Sequence, residues 1–183
     1  MPPTTRALHN ALLSALPAKA QPGADIARKP LLFSVGTPLY CSFRAYVYTL
    51  THPPGGRTAG EHKIQLIVPG QSRGQRANFD YSGGHTVLLL GYQPELGVFS
   101  IWDAGLYRDF PYSRNVQVGA ETVFAAFAAG LATQERALRA SPSGSASIRI
   151  RETVVVCQRS RLVEALALRQ RLTLERLLAD GNG

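Results

Sequence analysis

The sequence predicts an α+β fold: a central, mostly antiparallel sheet of five to six strands flanked by helices. Three observations predict it. Runs rich in aromatic and β-branched residues recur between residues 39 and 157, separated by turns of Pro and Gly. Leucine-periodic segments stand at both ends of the chain, and a third helical pattern interrupts the strand runs near residue 120. Hydrophobic residues make up 45% of the 183, enough to fill a core. The chain divides into an N-terminal helix and connector over 1–30 and one α+β domain with a C-terminal helix over 31–183.

Residues 4–16 place Leu8, Leu12, Leu13 and Leu16 on one helical face. Pro17, Pro22, Gly23 and Pro30 make 17–30 a connector. From Leu39 to His52, Phe43, Ala45, Val47 and Thr49 alternate with Ser42, Arg44, Tyr46 and Tyr48, the longest strand pattern in the chain. The turn Pro53-Pro54-Gly55-Gly56 follows and a strand resumes at Glu61, so 39–68 is expected to be an antiparallel hairpin with Arg57 on its tip. Residues 69–84 form a polar loop. His85–Tyr92 and Val98–Asp103 make a second hairpin, and Asn115–Val118 a short strand. Val123, Phe124, Phe127 and Leu131 predict a helix from Ala120 to about Ala140. A linker, Ser141–Ser147, leads to a last strand over Ile148–Cys157. The leucines between Ser160 and Ala179 give an amphipathic helix with a bend expected at Thr173.

A formal charge of +8 and a pI near 10.0 point to a polyanionic partner, with nucleic acid the default candidate. Arginine outnumbers lysine 17 to 3. Genomic base composition can favour Arg over Lys, but it does not account for the excess over acids. The chain has no apolar run of membrane-spanning length and no leader pattern, so a cytoplasmic protein without membrane association is expected. Cys41 and Cys157 lie in apolar runs, as buried thiols in a reducing compartment do. His9, His52, His62 and His85 are scattered, and no metal or other cofactor is expected.

Lys63 is the only lysine outside the N-terminal arm that holds Lys19 and Lys29. On a strand, Glu61, Lys63 and Gln65 share one face, while His62, Ile64, Leu66 and Val68 share the other. The polar row suits phosphate chemistry or readout of a ligand; an edge strand with a solvated face is the plain alternative. Glu61-x-Lys63 also resembles the PD-(D/E)xK nuclease motif, in which carboxylates hold Mg²⁺ against the scissile phosphate. Such a site takes an Asp from the preceding strand, yet no acidic residue lies between Leu31 and Gly60. A magnesium-dependent endonuclease would have to use Glu61 and Lys63 with Asp80 or Asp103.

Two further segments carry suitable chemistry. Arg73 and Arg76 precede Asn78-Phe79-Asp80-Tyr81-Ser82, a combination for phosphate contact and base stacking, unless Phe79 plugs the core. Trp102-Asp103 is followed by Tyr112, Ser113, Asn115 and Gln117, types that stack on bases and bond their edges. The tryptophan can equally be core, and Asp103 can cap a turn or pair with Arg108.

The segments GGRTAGEHKIQL, PGQSRGQRANFDYSGG, GVFSIWDAGLYRDFPYSRNVQV and ETVVVCQRSRLVEAL together resemble bacterial restriction–modification proteins, among them methylase-associated and SRA-like recognition modules of modification-dependent endonucleases. The resemblance covers about residues 39–168. It implies that Arg57, Glu61, Lys63, Gln65, residues 78–82, Trp102-Asp103 and residues 112–117 belong to a DNA-reading surface or its supports. The reading it favours is a specificity module that binds double-stranded DNA, with no catalytic residue assigned outside the nuclease alternative. A module docking on a methyltransferase or nuclease subunit through its C-terminal helix is the other partner expectation.

Overall fold

Strand residues here alternate between two buried faces, and that alternation sets the architecture. The computed structural model describes residues 2–18, 20–23, 25–51, 60–139 and 149–181. Among them the elements run α1 (Thr5–Leu13), β1 (Gln21–Pro22), β2 (Leu31–Val35), β3 (Cys41–Thr49), β4 (Glu61–Leu66), β5 (Arg76–Ala77), β6 (Thr86–Gln93), β7 (Val98–Trp102), β8 (Phe110–Pro111), β9 (Arg114–Gly119), α2 (Ala120–Ala129), β10 (Leu131–Arg139), β11 (Arg149–Gln158) and α3 (Leu162–Asp180). The main sheet has seven strands in the order β1-β2-β3-β6-β7-β11-β10, more than the five to six expected. All neighbours are antiparallel except β3 and β6, which pair in parallel from Phe43↔Thr86 to Thr49↔Tyr92.

Phe43, Ala45 and Val47 of β3, with Leu88 and Leu90 of β6 and Ile101 of β7, face a cluster completed by Leu8 and Leu12 of α1 and Leu162, Ala165 and Leu166 of α3. Tyr46, Tyr48, Leu89 and Trp102 face the opposite way, into a cluster with Ile64 and Leu66 of β4, Val116 and Val118 of β9 and Val123 and Ala126 of α2. Burial on both faces explains why β6 and β7 read as continuous apolar runs. The second face is covered by a two-stranded ribbon, β4–β9, and a smaller one, β5–β8.

The expected hairpin over 39–68 does not form. β4 pairs along its length with β9, from Glu61↔Gly119 to Leu66↔Arg114, and its backbone pairing with the segment just after β3 is limited to the Thr51↔Lys63 bridge. Its apolar face, Ile64 and Leu66, is drawn onto the sheet rather than into its edge. The tip of that hairpin, with Arg57, lies outside the described residues, as does the linker 141–147. The helix expected to reach residue 140 stops at Gly130, which adopts a positive φ of 92°. Residues 131–139 favour helix by composition, but they pair with β11 in unbroken register from Leu131↔Cys157 to Arg139↔Arg149. Tertiary pairing overrides local propensity there. α3 is one helix, with no break at Thr173. The β6–β7 hairpin, the β9 strand and the final strand fall where expected. No described helix is long and apolar enough to cross a membrane.

Gly91 of β6 is the point where ribbon and sheet come closest. A Cβ there would stand 2.8 Å from Ile64 Cγ2 and 3.1 Å from the Trp102 ring. Ile64 is β-branched and both neighbours are fully buried, so neither yields cheaply. Gly91→Ala is therefore expected to cost about 1–3 kcal/mol of stability by overpacking, read from the urea midpoint at unchanged m-value.

Candidate nucleic-acid interface

The β4–β9 ribbon buries one face and exposes the other. His62, Ile64 and Leu66 point inward with Val116 and Val118. Glu61, Lys63 and Gln65 remain outside, and the register sets Lys63 opposite Gln117 and Gln65 opposite Asn115. Five residues singled out from sequence thus form one polar strip on a ribbon about 20 Å long, at ~3.4 Å per residue. Trp102 supports it from beneath: the indole is 1% exposed and its Nε1 donates to the Gln117 carbonyl at 3.1 Å. Arg136 donates to the same carbonyl. The core placement of Trp102, left open by the sequence, is the one realised. Among the described residues, no carboxylate pairs with Lys63 or Arg73.

The second predicted segment is largely committed to structure. Phe79 is buried between Tyr46 and Phe110, at centroid distances of 4.7 and 5.0 Å. Arg44, on β3, holds the Asp80 carboxylate at 2.8 Å and donates to the Asp80 and Ser82 carbonyls. Ser82 hydrogen-bonding and the Arg44 guanidinium hold the Asp80 carboxyl below its usual range. Asn78 Oδ1 accepts from the Asp109 amide at 2.8 Å, and Arg76 pairs with the Asp109 carboxylate at the same distance. Tyr81 is part-exposed and donates to the Ala104 carbonyl at 2.8 Å. The Tyr112 amide donates to the Gln75 carbonyl, and Ser113 takes a positive φ of 59° at the turn into β9.

Asp103 does not pair with Arg108. Its carboxylate is buried and accepts from Arg176 Nε at 2.8 Å, from Arg176 Nη2 at 3.4 Å and from the Gly105 amide at 3.0 Å, with Arg169 Nη2 at 3.6 Å. It caps the 3₁₀ turn Ala104–Leu106, one of the two roles the sequence allowed. A second buried carboxylate, Glu152, accepts from the Tyr107 hydroxyl at 2.6 Å and the Asp103 amide at 3.2 Å, with Arg136 at 3.7 Å. Burial raises the Glu152 and Tyr107 pKa values and lowers that of Arg169. Sequence reasoning missed this network. Its signals were a lone Glu152 in a valine-rich strand and Arg169 at a position continuing the core-facing series Leu162, Leu166. Among the described residues, no three His, Cys, Asp or Glu side chains gather as a metal site; of the two carboxylates offered as partners for Glu61 and Lys63, Asp80 pairs with Arg44 and Asp103 with Arg176.

The profile of the methylase-associated X1 family matches residues 41–166. The chain belongs to the methylase-associated X1 family. The matched span runs from β3 to the start of α3 and so includes the ribbon, Asp103 and Glu152. Membership supports association with restriction–modification. No curated protein and no solved structure matches the chain.

Asp103→Ala would leave the buried Arg169 and the part-buried Arg176 without the carboxylate they share, and a loss of about 3–5 kcal/mol is expected. Glu61→Ala, on the exposed strip, should stay within about 0.5 kcal/mol. Denaturant unfolding of both variants checks the contrast between support and surface.

Proposed function

We propose that this methylase-associated X1 chain is a DNA-binding specificity module of a restriction–modification system, and that it meets duplex DNA with the outer face of the β4–β9 ribbon. The observation that carries the reading is the strip itself: Lys63, Gln65, Asn115 and Gln117 stand on a two-stranded ribbon of a protein with net charge +8. A ribbon of this width enters a major groove of about 12 Å, and amide side chains bond base edges there. Lys63 and Arg73 supply phosphate contacts, which position the protein without reading sequence. Trp102 has no direct share in this, since it is buried; Asn78 is exposed and spends its Oδ1 on the Asp109 amide.

Fluorescence anisotropy with unmodified and methylated duplexes across a salt series tests it. Affinity should fall steeply with salt, and Lys63→Ala should lower the log–log slope by about 1 while weakening all duplexes alike. Asn115→Ala and Gln117→Ala should each cost about 1–3 kcal/mol on the preferred duplex only. Binding indifferent to salt, or indifferent to these three substitutions, rules the reading out.

A second reading rests on α3, where Leu174, Leu177 and Leu178 are exposed beyond the segment packed on the sheet. Together with the family's association, this favours docking on a methyltransferase subunit. Replacing the three leucines with Ser should abolish co-elution with that subunit and leave thermal unfolding nearly unchanged; retained co-elution excludes the docking face.

A further inference from the structure

Next to the strip, on the side of α1, is a cavity of about 290 Å³ that includes Thr5, Lys29, Tyr48, Thr49, Thr51 and Gln65 in its wall. Lys29 is half-buried, with its Nζ 3.7 Å from the centroid of the Tyr48 ring. Among the described residues no carboxylate pairs with it; nearby Asp25 is turned to Arg28 at 3.5 Å. The Thr5 and Thr49 hydroxyls and the Gln65 amide make no side-chain hydrogen bond to described residues either. Thr51 differs, its hydroxyl being spent on the Lys63 carbonyl at 3.1 Å. An ammonium and three uncommitted donors therefore line one polar cavity with no acid to answer them.

We infer that this cavity is a phosphate-binding site, in which Lys29 supplies the counter-charge and Thr5, Thr49 and Gln65 donate to the oxyanion. A desolvated ammonium without a counter-ion is costly, and a bound anion removes that cost. Burial lowers the Lys29 pKa to about 8, which agrees with an amine short of a partner. The lining is mostly polar and the volume exceeds what a phosphate group needs, leaving room for what it is attached to. Gln65 belongs to both the strip and the cavity. A duplex on the ribbon is thus one source of the phosphate, in which case the inference rests on the DNA reading; a free phosphate monoester is the other.

With only Lys19, Lys29 and Lys63 in the chain, lysine chemistry maps cleanly. The full chain is treated with pyridoxal phosphate, whose aldehyde condenses with a lysine amine with loss of water. Borohydride then delivers hydride to the imine, giving a stable secondary amine located by peptide mass mapping. Labelling of Lys29 should exceed that of Lys19 and Lys63 by about tenfold near neutral pH, since the cavity gathers the reagent's phosphate beside an amine whose pKa burial lowers. Pyridoxal, which lacks the phosphate, should label Lys29 several-fold less, and inorganic phosphate should protect it. Equal labelling by the two reagents, or no protection by phosphate, overturns the inference. Protection by a short duplex at lower concentration than phosphate supports the site with the DNA backbone as source. A duplex that binds by anisotropy without protecting Lys29, while phosphate protects, supports it with a free phosphate as source. Phosphate protection in a chain that binds no duplex supports the cavity and removes the DNA reading alone.

Discussion

The parallel pairing of β3 with β6 governs what lies on the surface. Parallel neighbours cannot be joined by a tight turn, so the chain leaving Thr49 must return across a face of the sheet before it enters at Thr86. In many folds a helix makes that crossing. Here β4 lies on the face, and it finds its partner in β9 rather than in β3. The contact of Ile64 with the space above Gly91 fixes how deeply the ribbon sits. Inward fixation of Ile64 and Leu66 compels Lys63 and Gln65 outward, because strand side chains alternate.

The arginine excess divides into two populations with different physics. Arg44, Arg136, Arg169 and Arg176 are wholly or partly buried and answer Asp80, Glu152 and Asp103. Such groups hold the loop after residue 78, the turn after β7 and α3 against the sheet. A guanidinium suits these sites because it stays charged and bonds in several directions at once. The basic charge that a polyanion would feel comes from the others. Lys63 and Arg73 are free of carboxylates among the described residues, whereas Arg76 is matched by Asp109.

The methylase-associated X1 match covers the ribbon, Asp103 and Glu152, but it begins after Lys29 and ends before Arg169 and Arg176. The strip and the phosphate cavity therefore differ in standing: one lies within the family's core, and the other needs the N-terminal helix and connector as well. α1 is bound to the core through Leu8 and Leu12, so its contribution to the cavity wall is structurally anchored.

Composition and periodicity by themselves determined the α+β class, the β6–β7 hairpin, both terminal helices and the in–out phase of Glu61-His62-Lys63-Ile64-Gln65-Leu66. Each depends on patterns within a few residues, which sequence displays directly. Only the tertiary structure decided that β4 pairs with β9, that residues 131–139 are a strand, and that Asp103 answers Arg176 from the far end of the chain. These rest on contacts between distant segments. A helix-prone stretch such as LATQERALR carries no mark of the β11 edge that captures it, and an isolated carboxylate carries no mark of the arginine that will bury it. Lys63 shows the division in one residue: its exposed phase was legible in the strand, while its neighbours Gln117 and Thr51 were supplied by the fold.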